Sequence, residues 1–140
     1  MIEPVYKKQG QLMNYNEQSL YKSLKEAFGQ EYLIVPQVHL EKLIKPARWI
    51  GKIKYAIGHV SRKSVDFAFF DKETFEPILA IELNGQSHQR TETYLRDIDV
   101  RKHLEESNLP IITLENGEII NTETLKRKVY SVLTRGKNMN

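Results

Sequence analysis

The sequence predicts an α/β domain, of the α+β kind with a mixed sheet, and three observations carry this prediction. Two apolar runs flank a polar turn, which is typical of a β-hairpin. Stretches near both ends of the chain place apolar residues at spacings of three and four, which is typical of amphipathic helices. A charged helical stretch separates the hairpin from a short apolar run, and such a crossover favours parallel pairing. With 140 residues, the chain is expected to form one domain, residues 1–140.

The first predicted helix runs from Glu17 to Phe28. Residues 1–13 have no clear period and are interpreted as a flexible arm. We take Asn16 as the helix N-cap and Gly29 as the stop at the other end. The apolar stripe of this helix comprises Leu20, Tyr21, Leu24, Ala27 and Phe28.

A strand is predicted at residues 31–40, where the sequence is apolar and extended in character. Pro36 interrupts this stretch, and because proline cannot donate to a sheet ladder, we expect an edge strand. A short helical turn is expected at residues 41–44, followed by a structured loop at 47–64.

The centre of the chain predicts a hairpin. Its two apolar runs are residues 67–70 and 78–83, and the polar turn between them is 71–74. Because a turn this short joins neighbouring strands, the two runs should pair antiparallel.

The rest of the chain predicts a helix, a strand and a last helix. The charged helix lies within residues 89–108, the strand covers 111–114, and the last helix covers 122–133. Residues 134–140 are expected to fray. The predicted order is therefore α-β-loop-β-β-α-β-α, with a core that spans about residues 14–133.

Composition limits the classes of protein that this chain can belong to. No apolar run is long enough to span a membrane, and the N-terminus lacks the apolar core of a secretory signal. The chain has no cysteine, which excludes disulfides and thiolate metal sites. These features predict a cytoplasmic protein without a membrane partner.

The net charge of +3 is unevenly distributed. Residues 1–65 carry 11 Lys/Arg and 5 Asp/Glu, whereas residues 66–140 carry 10 and 13. The segment 42–63 contains no acid, and its basic residues are Lys42, Lys45, Arg48, Lys52, Lys54, Arg62 and Lys63. Such a segment is typical of a polyanion-binding surface, although a solvated basic loop has the same composition.

Two carboxylates mark the hairpin as a candidate site. Asp66 precedes the first apolar run and Glu82 lies near the end of the second, so both should lie at the same end of the sheet. Glu82 and Asn84 should share one face of their strand. A carboxylate within an apolar strand is costly to bury unless it is paired or binds a cation, so we predict a metal site here. Glu17 lies on the apolar side of the first helix, where it is either part of this site or a first-turn residue that favours the helix dipole.

The ordered set of these features resembles the PD-(D/E)XK superfamily of restriction-endonuclease-like nucleases. The set comprises a helix-borne acid, an aspartate on a strand, the sequence IELNGQSH at 81–88, a charged helix and the strand PIITL at 110–114. It is closer to the branch whose third motif reads I-E-x-D-G-x-x-H, which includes very-short-patch-repair-like endonucleases. It also resembles a family of small uncharacterised bacterial domains of the same fold. The resemblance covers about residues 14–114.

The resemblance implies a set of catalytic residues. Asp66 matches the superfamily aspartate, Glu82 the acid of the E-x-K motif, and Glu17 the glutamate of the first helix. Asn84 stands where the superfamily has lysine, and His88 matches the histidine of the branch. The departure at Asn84 leaves the source of the positive charge open.

A basic residue on the following helix could replace that lysine. An ungapped match places Val100 at the family's basic position, so only a small shift would bring Arg101 or Lys102 there. We therefore count Lys102 among the catalytic candidates, beside His88.

The implied activity is divalent-metal-dependent hydrolysis of phosphodiesters in DNA, with RNA left open. The resemblance implies Mg²⁺ or Mn²⁺ bound by Asp66, Glu82 and the carbonyl of Leu83, since these ions prefer oxygen ligands. The residues expected to bind nucleic acid are Arg48, Lys52, Lys54, Arg62, Lys63, Arg90 and Arg101. A homodimer or a larger nucleic-acid-processing system is left open as the partner.

Two other interpretations remain at this point. The first is a nuclease-fold domain that binds nucleic acid with little or no turnover, which Asn84 favours. The second is an interaction domain in which Asp66 and Glu82 form buried pairs with basic side chains. A retained pair of carboxylates argues against the second, because buried charges destabilise a fold unless they are well paired.

Overall fold

The computed structural model describes residues 2–45, 63–84, 101–115 and 121–138. Its helices and strands follow in this order: α1 (Tyr15–Phe28), β1 (Tyr32–His39), a 3-10 turn (Leu40–Lys42), β2 (Ser64–Asp71), β3 (Pro77–Asn84), α2 (residues 101–106), β4 (Ile111–Glu115) and α3 (Thr122–Asn138). Within the described ranges the fold is therefore α+β, with a four-stranded sheet and three helices.

The sheet is mixed, with strand order β1-β2-β3-β4. The pairs β1–β2 and β2–β3 are antiparallel, and β3–β4 is parallel. Both predicted pairings, the antiparallel hairpin and the parallel crossover strand, are confirmed. One end of the sheet, called here the hairpin end, carries the β2–β3 turn. At the opposite end, called the site end, β1, β3 and β4 finish and β2 begins.

Strand β1 lies at one edge of the sheet, as Pro36 predicts. Pro36 pairs with Phe67 of β2, and proline lacks the N–H that a central strand would need for its second neighbour. The predicted helical turn after this strand is the 3-10 turn, in which the Leu43 N–H donates to the Leu40 carbonyl at 2.9 Å.

Apolar side chains cover both faces of the sheet. Alternation along β2 directs Phe67 and Phe69 to one face and Ala68 to the other. We call the first layer the α1-side core; its largest buried members are Leu20, Leu24, Phe28, Phe67, Phe69, Leu79, Ile81, Leu114 and Leu125. The second layer, the α2-side core, comprises Val38, Leu40, Leu43, Val65, Ala68, Ala80, Leu104 and Leu109. The site end defined above is one end of the sheet that these two layers cover.

Helix α1 begins two residues earlier than predicted. Its N-cap is Asn14, not Asn16, because Asn14 and Glu17 form a capping box. The Asn14 Oδ1 accepts the Glu17 N–H at 2.9 Å, and the Glu17 Oε1 accepts the Asn14 N–H at 2.9 Å. The helix ends at Gly29 as predicted, where an added Cβ would lie 2.4 Å from the Lys25 carbonyl oxygen.

Helix α3 continues to Asn138, five residues beyond its predicted end at residue 133. No proline interrupts this stretch, and each added residue extends a helix by one hydrogen bond once it has been nucleated. The buried residues Leu125 and Val129 anchor the helix to the α1-side core.

Candidate functional site

A row of polar residues crosses the sheet near its site end. Strand register places Pro36 opposite Phe67 and Phe67 opposite Ile81, so the next positions align Gln37, Asp66 and Glu82. Glu82 is paired with Thr113 of β4. Each of these four residues lies two positions from the strand terminus at the site end. The sheet therefore brings one polar residue from every strand to the same level.

The two carboxylates lie side by side on adjacent strands at the site end of the sheet. Asp66 alternates with Phe67, which lies in the α1-side core, and Glu82 alternates with Ile81 of the same core. Glu82 therefore points to the α2 side, together with Ala80, whereas Asp66 lies between Val65 of the α2-side core and Phe67 of the α1-side core. Both carboxylates are half-buried, which leaves them accessible from solvent.

A hydrogen bond between strands fixes the orientation of Asp66. The Leu83 backbone N–H donates to the Asp66 Oδ2 at 2.6 Å, a charge-assisted contact that spans 17 residues of sequence. In a ladder, the N–H and C=O of one residue point toward the same neighbouring strand. The Leu83 carbonyl is therefore directed toward β2, on the side where Asp66 lies.

Arg101 of α2 reaches the same row from above the sheet. Its Nη2 donates to the Oγ1 of Thr113, the residue paired with Glu82. Leu104, one turn later, is fully buried in the α2-side core and anchors the helix there. Lys102, the neighbouring candidate, is exposed. The contact with Thr113 brings the guanidinium of Arg101 within one strand of Glu82.

Glu17 lies at the site end but on the other side of the sheet. Its helix packs against the α1-side core, where the Tyr21 and Phe67 rings stack with centroids 6.3 Å apart. Its carboxylate closes the capping box on Asn14. This first-turn role is one of the two alternatives that the sequence left open.

Gln37 is a site residue that the sequence reasoning missed. Its φ of 51° lies in the left-handed region, which is unusual for a residue within a strand. Ile34 packs in the α1-side core and Val38 in the α2-side core, although residues four apart on a regular strand share a face. The strand therefore turns over at Gln37. The proline before it was the available signal, because it marks an interrupted ladder.

Several predicted residues fall outside the described part of the chain. They are Arg48, Lys52, Lys54, Arg62, His88 and Arg90, and the side chain of Asn84 is also outside it. Lys63 is described and half-buried directly before β2, and its carbonyl accepts the Leu40 N–H at 2.9 Å. Lys42 and Lys45 are exposed just after β1. Both described borders of the basic segment thus lie at the site end.

Within the described ranges, no three His, Asp or Glu side chains converge as ligands for one ion. The candidate oxygen donors are therefore the pair Asp66 and Glu82 with the carbonyl of Leu83. In the same part of the chain, no helix has the length and apolar character that crossing a bilayer requires.

Comparison with known proteins gives a family and no named relative. A model of the family described as "Protein of unknown function (DUF2726)" matches residues 8–133. Neither a curated protein nor a solved structure matches the chain significantly. Because the family match spans most of the chain, from within the N-terminal arm to the later turns of α3, this protein belongs to the DUF2726 family.

Proposed function

We propose that this protein is a divalent-metal-dependent nuclease that hydrolyses phosphodiesters in DNA. The observation that carries the proposal is the alignment of Asp66 and Glu82 on adjacent strands at one end of the sheet. Two neighbouring carboxylates can both bind one divalent cation, and the charge of the cation then offsets the repulsion between them. The resemblance to the PD-(D/E)XK superfamily supports the same proposal, because its acids match these two residues.

The donor atoms suit a hard cation such as Mg²⁺ or Mn²⁺. Asp66, Glu82 and the Leu83 carbonyl offer oxygen ligands only, which these ions prefer. One oxygen of Asp66 accepts the Leu83 N–H, yet a carboxylate has about four lone-pair sites and can accept this bond while it binds an ion. A bound ion would supply an activated water and stabilise charge on the leaving oxygen.

The residues of this chain would position the phosphate and hold that ligand set. The Leu83 N–H holds Asp66 in one orientation, so its second oxygen has a defined direction. Asn84 cannot provide the positive charge of the superfamily lysine. We assign that charge to Arg101 rather than Lys102, because Arg101 contacts the residue beside Glu82. Arginine can hold a phosphate through two parallel hydrogen bonds.

A second function, nucleic-acid binding with little or no turnover, is supported by Asn84. Without a lysine in the motif, the site could retain the substrate surface and lose the chemistry. Lys63, Lys42 and Lys45 border the site end in either case. An interaction domain with buried ion pairs is less well supported, because Asp66 and Glu82 are half-buried rather than buried.

Isosteric substitutions test the proposal. We expect Asp66→Asn and Glu82→Gln each to lower cleavage of plasmid and single-stranded DNA in Mn²⁺ or Mg²⁺ by more than about 100-fold, since even outer partners of metal ligands are worth 10- to 100-fold. Asparagine keeps an oxygen that can accept the Leu83 N–H, so the fold should persist and the charge alone is tested.

Glu105→Gln is the matched control, because Glu105 is an exposed carboxylate of α2 outside the row. It should leave cleavage unchanged. Wild-type binding to DNA without cleavage in any divalent ion would establish the binding module instead. Cleavage that survives both substitutions at Asp66 and Glu82 would overturn the assignment of these residues.

A further inference from the structure

We propose that a recess between the N-terminal arm and α1 binds one nucleotide of the nucleic-acid strand that enters the site. The recess has a volume of about 360 Å³ and is lined by Gln11, Leu12, Met13, Gln18, Tyr21 and Lys22. Its volume lies at the lower end of the range for small-ligand pockets, about 300–1,000 Å³. The inference rests on the proposed function, and it adds a subsite that the carboxylates do not include.

Two contacts place the recess at the site end of the sheet. The ring of Tyr21 stacks with Phe67, the residue after Asp66. The Nε2 of Gln37, which is aligned with Asp66, donates to the Leu12 carbonyl at 3.0 Å. The recess and the two carboxylates lie at the same end of the sheet, so a strand that passes across this end would meet both.

The lining side chains match the parts of a nucleotide. The ring of Tyr21 offers a surface on which a base can stack, an interaction that tolerates any base. Lys22 is exposed beside it and can pair with a phosphate. Among the described residues that line the recess, none carries a carboxylate. An aromatic ring next to a lysine therefore favours a nucleotide over an apolar peptide.

The wall of the recess is fixed by side-chain amides rather than by regular structure. Gln18 donates through its Nε2 to the Met13 carbonyl at 2.7 Å and to the Gln11 Oε1 at 3.2 Å. Gln37 holds the Leu12 carbonyl from the opposite side while its own backbone is in the left-handed region. Strained residues persist where the surrounding structure holds them, often at binding sites. The strain at Gln37 is therefore consistent with an arm that must stay in place.

The experiment measures nucleotide binding without metal, so that its outcome is independent of cleavage. In EDTA, we expect a deoxynucleoside monophosphate to shift the NMR signals of Tyr21 and Lys22 in the wild-type protein. Tyr21→Leu should weaken binding of single-stranded DNA by about 5- to 100-fold, the loss expected for one stacked base. Lys22→Gln should lower the slope of log affinity against log salt by about 0.7, the value for one phosphate of a single strand.

Tyr15→Leu and Lys25→Gln are the matched controls, because both residues lie on α1 and neither lines the recess. Both should bind like the wild type. Tyr21→Leu could lower the thermal unfolding midpoint and so weaken binding indirectly. In that case the test of the recess is the slope of log affinity against log salt for Lys22→Gln, because Lys22 is exposed and its replacement should not affect folding. Absence of shifts in the recess, or equal effects of variants and controls, would overturn the subsite. Loss of cleavage in Asp66→Asn with intact nucleotide binding would separate this inference from the proposed function.

Discussion

The two ends of the sheet each use an aspartate as a hydrogen-bond acceptor, but over different distances along the chain. At the hairpin end, the Asp71 Oδ1 accepts the N–H groups of Glu73 and Thr74 at 2.8 and 2.9 Å. At the site end, the Asp66 Oδ2 accepts the N–H of Leu83, which is 17 residues away. The first aspartate shapes a turn from its own neighbours. The second joins two strands, so its position depends on their register.

Each end has a residue with a left-handed backbone, Phe75 (φ 62°) at the hairpin end and Gln37 (φ 51°) at the site end. Phe75 is 66% exposed, whereas the side chain of Gln37 holds the arm through Leu12. At the hairpin end, the left-handed residue Phe75 belongs to a local turn. At the site end, the left-handed residue Gln37 makes a hydrogen bond to Leu12, which is 25 residues away in the sequence.

The largest expected effect is on the rate of DNA cleavage, and it distinguishes the side chains of Arg101 and Lys102. We expect Arg101→Gln to lower DNA cleavage by about 10- to 100-fold, because a positioned donor to the reacting phosphate is lost. Lys102→Gln should change the rate by less than about twofold, the effect of one exposed charge. Cleavage rates at saturating Mn²⁺ measure both. The reverse order would assign the positive charge to Lys102.

A smaller effect is expected on the free energy of unfolding when either left-handed residue, Phe75 or Gln37, is replaced by glycine. Phe75→Gly should raise the free energy of unfolding by about 1 kcal/mol, because glycine adopts this conformation without a Cβ clash. Gln37→Gly gains the same relief but loses the hydrogen bond to Leu12, which contributes about 1 kcal/mol, so its change should be close to zero. Urea denaturation at neutral pH measures both, and a more stabilising effect at Gln37 would contradict the role of its amide.

The smallest expected effect is the pH dependence of the hairpin end. Hydrogen bonds from the Thr74 and Glu73 backbones lower the pKa of Asp71 below its ordinary value of 3.8. The folded state therefore favours the ionised form, and its contribution is present above pH 3.8 and lost as the pH falls through the lowered pKa.

Asp71→Asn isolates this charge, because asparagine can accept the same two bonds. The unfolding midpoints of the wild type and the variant should differ slightly at neutral pH and converge in acid. Since Asp71 lies at the hairpin end, DNA cleavage by this variant should equal that of the wild type. A difference that grows toward acid would exclude the assigned cause.

Much of the fold could be predicted from local patterns. The alternation of apolar residues located β2 and β3, and the polar turn predicted their antiparallel pairing. The edge position of β1 followed from Pro36. The start of α1 was missed by two residues, although the capping-box spacing of Asn14 and Glu17 was present in the sequence. The end of α3 was placed five residues too early, because Thr134, Gly136 and Asn138 are weak helix formers.

Less of the candidate site could be predicted. Asp66 and Glu82 were recognised because a carboxylate within an apolar strand is conspicuous. The alignment of Gln37 and Thr113 with them was not visible, since it depends on pairings across 29 and 31 residues of sequence. The choice between Arg101 and Lys102 also required the structure, because adjacent residues on a helix point about 100° apart.

The sequence by itself determined the elements, the hairpin and the two carboxylates, because periodicity, turn chemistry and capping act between residues that are close in the chain. The tertiary structure decided which residues share the site end: Gln37 through a strand that turns over, Arg101 through the packing of Leu104, and Leu83 through its bond to Asp66. These contacts depend on strand register and helix packing, and both are set by the whole core rather than by any local stretch.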